Sequence, residues 1–139
     1  MPVILFYEDR FTEPPFRVKY VAGIDDVIET KMQVAHLNAS QVYEWLPYTH
    51  EMPLPLADEE KHAVLWGMEI TPDTTDEEVM AHNDGYGVRF AKTAARFRAE
   101  LVAHYGEEKG QQIRFAEAFG LSEYGEKLTE AQEKALLFR

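Results

Sequence analysis

With 139 residues the chain fits one domain, and 25 acidic against 14 basic side chains leave a formal charge of −11. Lysines and arginines scattered among surplus carboxylates exclude nucleic-acid binding through phosphates and attraction to an anionic membrane surface. A hydrophobic share of 45% excludes the disordered class, and the lack of cysteine excludes disulfides and thiolate metal sites.

In chain order, Val3 to Tyr7 is a continuous apolar run that reads as an interior strand buried on both faces. It has neither a basic flank nor a small-residue cleavage site, so it is not expected to be a signal peptide. No stretch approaches the ~20 apolar residues needed to cross a bilayer, and a soluble, cytoplasmic protein is expected. Val18, Tyr20 and Ala22 alternate with Lys19 and Val21, which predicts a half-exposed strand ending at Gly23. Asp26 with Glu29 forms a capping-box pattern. Behind it Ile28, Met32, Ala35, Ala39, Val42 and Leu46 recur at helical spacing, predicting one helix of about 20 residues that Pro47 stops.

The prolines of Met52 to Leu56 predict an extended connection, after which Asp58 caps a short helix through Trp66. Thr75 to Glu78 is a second capping box, opening a helix broken near Asp84 to Gly87. From Val88 the stripe Phe90, Ala94, Phe97, Leu101 and Tyr105 predicts a second long helix closed by Gly106. Ile113 to Phe119 alternates like a strand, with Ile113, Phe115, Glu117 and Phe119 on one face. Thr129 and Gln132 cap a last helix running to Leu137.

The five histidines, His36, His50, His62, His82 and His104, form no metal-ligating pattern and read as surface or satisfied core residues. No zinc-protease, phosphate-loop, nucleophile-elbow or dinucleotide motif is present. Tyr86, between two glycines, reads first as a helix break and second as a flexible ligand-facing element. Glu117 is the most informative acid. A carboxylate among aromatics needs a partner, and Arg10, Arg114, Lys31 and a pair of backbone amides are the candidates. A structural ion pair is the first reading of that residue and a pocket-lining role the second.

Three segments together resemble a known family. Tyr7-Glu8-Asp9-Arg10-Phe11 with Pro14-Pro15-Phe16 is the first. The second runs from Ile24-Asp25-Asp26-Val27-Ile28-Glu29-Thr30-Lys31-Met32 to Ala39-Ser40-Gln41-Val42-Tyr43-Glu44-Trp45-Leu46-Pro47-Tyr48. The third is Phe115-Ala116-Glu117-Ala118-Phe119 with Ser122-Glu123-Tyr124-Gly125 and Leu128-Thr129. Their order resembles the C-terminal half of PIG-L/LmbE-like de-N-acetylases, over nearly all of the 139 residues.

The resemblance implies an α/β chain, mainly helical, that is a partial Rossmann-like deacetylase scaffold with a few short strands and two long helices. It implies zinc-dependent hydrolysis of an N-acetyl amide on an amino sugar, in which the metal activates water and a carboxylate acts as general base. The family's His-Pro-Asp-Asp motif and later histidine lie upstream of the matching region. No catalytic residue, metal ligand or cofactor is therefore expected on this chain, and an N-terminal catalytic half or a second copy is the expected partner. Glu117, Phe115 and Arg10 are the candidate pocket-rim residues. Asn38 stands where the family has a histidine before its Ser-Gln pair, and His36 lies about 200° around a helix from it. Phe115 replaces a frequent tyrosine. The rival reading is a small acidic helical module that docks on another chain through the apolar strand.

Overall fold

The computed structural model describes residues 2–8, 15–82 and 85–136. It is a mixed α/β arrangement in which three short strands form an antiparallel sheet beside a larger set of helices. Strand β1 (Leu5–Tyr7) and strand β2 (Tyr20–Gly23) flank the central strand β3 (Ala116–Leu121). Leu5 is opposite Leu121 and Tyr7 opposite Phe119, while Tyr20 and Gly23 pair with Phe119 and Ala116. β3 occupies the middle because it is the longest run and alternates small with large side chains, and Gly120 lets the Phe6 ring lie over it.

Of the expected strand from Val3 to Tyr7, Leu5–Tyr7 forms, and among the described residues it is an edge rather than an interior strand: Phe6 and Tyr7 are exposed. β2 ends at Gly23 as expected but is more buried than its alternation predicts, because Val21 packs with Leu101 and Ala118 under the helices. The expected strand from Ile113 starts only at Ala116. Before it, the Asp25 carboxylate takes the place of a partner strand, accepting the amide hydrogens of Arg114 at 2.8 Å and Phe115 at 3.4 Å.

Neither long helix is continuous. Helix α1 (Ile28–Leu37) ends at Asn38, whose φ of −87° and ψ of 56° leave the helical region. The Asp26 side chain does not cap α1, and Val27 holds the cap position. A π-helical segment, Ser40–Trp45, and the short helix α2 (Leu46–Thr49) follow. Pro47 does not stop the helix: Trp45 and Leu46 before it both have helical φ and ψ, and the helical path runs from the π-helical segment through Pro47 to Thr49.

Helices α3 (Asp58–Trp66) and α4 (Asp76–Ala81) begin close to where the capping patterns place them. Glu60 accepts from the Ala57 amide at 2.7 Å, and Thr75 with Glu78 forms the reciprocal box. The second long stripe is divided into α5 (Val88–Arg96) and α6 (Arg98–Tyr105) at Phe97, with φ −110° and ψ 32°. One turn earlier the Thr93 hydroxyl donates to the Arg89 carbonyl at 3.0 Å, a back-bond of the kind that bends helices. Helix α7 (Glu107–Gln112) leads into β3, and α8 (Glu130–Leu136) opens on the expected Thr129 and Gln132 cap. Leu137, the expected last residue of α8, lies outside the described residues.

α5 serves two cores. Phe90 and Ala91 join Met32, Val42, Leu65 and Phe115 in one cluster, and Ala94 joins Val21, Leu101 and Ala116 in the other. Burial on both sides fixes α5 against the sheet and presents its remaining face, with Arg89, Lys92 and Arg96, to a cleft. Among the described residues no helix is long and apolar enough to cross a membrane.

Candidate functional site

The cleft, about 1080 Å3 in volume, lies between the C-terminal end of β1, the first half of β3, α5, and the α2 and α3 segments. Glu117 projects from β3, Tyr7 from the last position of β1 and Lys31 from the first turns of α1. The Tyr7 hydroxyl donates to Glu117 Oε1 at 2.6 Å, and Lys31 Nζ approaches the same oxygen at 2.7 Å. The carboxylate is only 13% exposed, so two donors on one oxygen offset much of its lost hydration. Among the described residues no donor reaches Oε2, and Glu117 lines the cleft.

Burial and the hydrogen bond to Glu117 both push the Tyr7 hydroxyl well above the ordinary phenol range, so Tyr7 is a neutral donor. The charge of Arg89, which lines the same cleft, acts in the opposite sense. Its guanidinium carbon lies 5.2 Å from the centre of the Tyr86 ring and 5.3 Å from that of Phe90, within cation–π range. Lys31 Nζ is 4.9 Å from the Phe90 ring centre, so Phe90 has two cations beside it.

Tyr86 is held by its backbone. Its amide donates to the Val64 carbonyl at 2.9 Å and the Gly87 amide to Leu65 at 2.7 Å, which seats the Gly85 to Gly87 turn on the end of α3. The two glycines permit that close approach, and Tyr86 contributes its ring to the cleft.

Of the expected rim residues, Glu117 lines the cleft with Lys31 as its partner. Phe115 is buried in the first core with its ring 6.5 Å from that of Trp66, and is not part of the cleft wall. Arg10 lies outside the described residues. Arg114, the other arginine considered for Glu117, instead donates to the Pro72 carbonyl. Sequence reasoning missed Tyr7 and Arg89. Tyr7 sits at the end of an apolar run and looks like core; its position next to Glu8, with a polar tip on an apolar body, is the available signal.

The histidines stay apart. His36 Nδ1 is 2.8 Å from the Tyr43 hydroxyl and faces a separate apolar hollow of about 400 Å3 between α1 and α3, away from Glu117. Of the histidines, His50 alone lines the cleft. Among the described residues no three His, Asp or Glu side chains are grouped so as to hold a metal ion.

The Glu117 ion pair carries a stability consequence. Lys31→Ala leaves a poorly hydrated carboxylate with the Tyr7 hydroxyl alone, and a loss of ~2 kcal/mol in urea unfolding is expected. Lys31→Ala combined with Glu117→Gln is expected to recover part of it, and a double variant as unstable as the single one would contradict the pairing. Compared with models of known families, with curated proteins and with solved structures, the chain matches none.

Proposed function

We propose that the chain is the C-terminal portion of a PIG-L/LmbE-like de-N-acetylase. In this reading it is a partial Rossmann-like scaffold that closes one side of the pocket where an N-acetyl amide on an amino sugar is hydrolysed. It works in the cytoplasm, and the metal-holding groups come from a partner half. One observation supports this above others. The three segments that carry the resemblance meet at a single carboxylate: Tyr7 from the first, Lys31 from the second and Glu117 from the third.

The roles follow from the chemistry of these groups. Zinc, when bound by the partner half, supplies the activated water. Glu117 Oε2 accepts from a sugar hydroxyl, Tyr7 and Lys31 hold that carboxylate in place, and Tyr86 offers a ring face to the sugar's apolar side. Titration of the 15N-labelled chain with N-acetylglucosamine is expected to shift Tyr7, Tyr86 and Glu117 amides, with the shifts lost in Glu117→Ala. No shifts, or equal shifts in the variant, contradict the reading.

A second reading rests on β1. Among the described residues its outer edge is unpaired, and Ile4, Phe6 and Tyr7 are 40, 42 and 51% exposed. An edge of this kind adds a strand from another chain, which makes the protein an acidic interaction module or a homo-oligomer. Sedimentation equilibrium then shows concentration-dependent association that Ile4→Lys abolishes. A strict monomer at high concentration excludes self-pairing.

A further inference from the structure

Helix α5 sets Arg89, Lys92 and Arg96 at spacings of three and four, which places the three cations along one face that lines the cleft. In a chain with 25 acidic side chains, basic residues would be expected to find carboxylates. Arg96 does: it pairs with Glu8 at the end of β1. Among the described residues neither Arg89 nor Lys92 has a carboxylate partner. The acids lining the same cleft already have a cation beside them, Arg96 for Glu8 and Lys31 for Glu117. Among the described residues that line the cleft, the unmatched charge is therefore positive, in a protein whose net charge is negative.

Arg89 is also positioned. Its guanidinium lies within cation–π range of the Tyr86 and Phe90 rings, and the side chain is otherwise exposed. Lys92 adds a compact charge almost one helical turn away. A lone carboxylate is satisfied by one planar guanidinium. A planar donor together with a separate point charge suits a doubly charged tetrahedral oxyanion better. The concave setting favours a small molecule over an extended acidic peptide, which would need a longer track of cations than two.

We propose that this cleft binds a phosphate-bearing small molecule, with Arg89 and Lys92 gripping the phosphate and the Tyr86 ring flanking it. Charge and geometry carry this inference, and it does not depend on the deacetylase reading. Phosphate binding can hold where N-acetylglucosamine binding fails, and the reverse.

The test is calorimetric titration of the intact chain at low salt with inorganic phosphate, glucose 6-phosphate and acetate. The first two are expected to saturate one site, with acetate at least about tenfold weaker. Arg89→Ala and Lys92→Ala are each expected to weaken phosphate about tenfold, while Lys127→Ala, outside the cleft, changes nothing. Arg89 is exposed and Lys92 half-buried, and if one variant fails to fold the other reads the same site independently. Absence of saturable phosphate binding, acetate binding as tight as phosphate, or undiminished binding in the alanine variants would overturn the proposal. An aspartate-rich peptide that outcompetes glucose 6-phosphate would also overturn it, in favour of an acidic protein partner.

Discussion

Arg98→Ala is expected to destabilise the fold by about 3 kcal/mol, the loss expected when one partner of a largely buried ion pair is removed. The Arg98 side chain is only 15% exposed. Its Nε and Nη2 donate to the two Asp76 oxygens at 3.0 and 2.8 Å, and Nη1 donates to the carbonyls of Gly110 and Ile113 at 2.8 and 2.6 Å. One planar group thereby ties the start of α4, the start of α6 and the end of α7 together. Arg98→Lys keeps the charge and loses the fork, so it is expected to retain most of the defect. Urea unfolding checks both, and a loss below about 1 kcal/mol for Arg98→Ala would mean the clamp is not what joins these helices.

The same pair sets a pH dependence. The hydrogen bonds and charge of Arg98 hold the Asp76 carboxyl below the ordinary carboxylate range. A carboxylate lowered on folding contributes stability that is present above its unfolded pKa, about 3.9, and lost as pH falls through its lower folded value. Acid unfolding of the wild type should show this loss below about pH 4, and Arg98→Ala should lack that component.

Gly85→Ala is the second large effect. Gly85 has a φ of +103°, a backbone conformation that side chains disfavour, and a β-carbon there would stand 2.3 Å from Gly67 Cα and 2.4 Å from Gly67 N. Both obstacles are main chain. Gly67 closes α3 with its own positive φ of 80° and a 2.8 Å bond to Ala63, so it has little room to retreat. Backbone strain of ~1–2 kcal/mol and overpacking of ~1–3 kcal/mol add to a loss of roughly 3 kcal/mol. Gly106 is the control: its φ is +83° but nothing lies within 4 Å of the place a β-carbon would take, so Gly106→Ala carries the backbone cost alone. Thermal melts should rank Gly85→Ala far below Gly106→Ala. Because Gly85 seats Tyr86, the same variant is also expected to lose ligand-induced shifts in the cleft.

Local signals are readable in the residues. Thr75 with Glu78 and Thr129 with Gln132 are short-range hydrogen-bond patterns, and both form as written. The requirement that Glu117 find a partner is likewise a matter of electrostatics, and Lys31 is among its few candidates. Features decided by distant partners are not readable. The Tyr7 bond to Glu117 joins residues 110 apart, and the edge position of β1 depends on β3 being its one partner among the described residues. The helix breaks are hidden for another reason: the apolar stripe of α5 and α6 runs on across Phe97, so periodicity alone cannot register the bend. Pro47 misleads because the helical path continues through it, with the π-helical turns of Ser40–Trp45 immediately before.

At the centre stands the claim that this chain provides a binding wall built around Glu117 and leaves amide cleavage to groups it does not itself carry. Metal analysis of the purified chain after zinc loading and dialysis, with acetate release from N-acetylglucosamine measured on the same sample, tests it most directly. Far less than one zinc per chain and no acetate above the blank are the expected results. One tightly held zinc per chain with acetate turnover would contradict the claim.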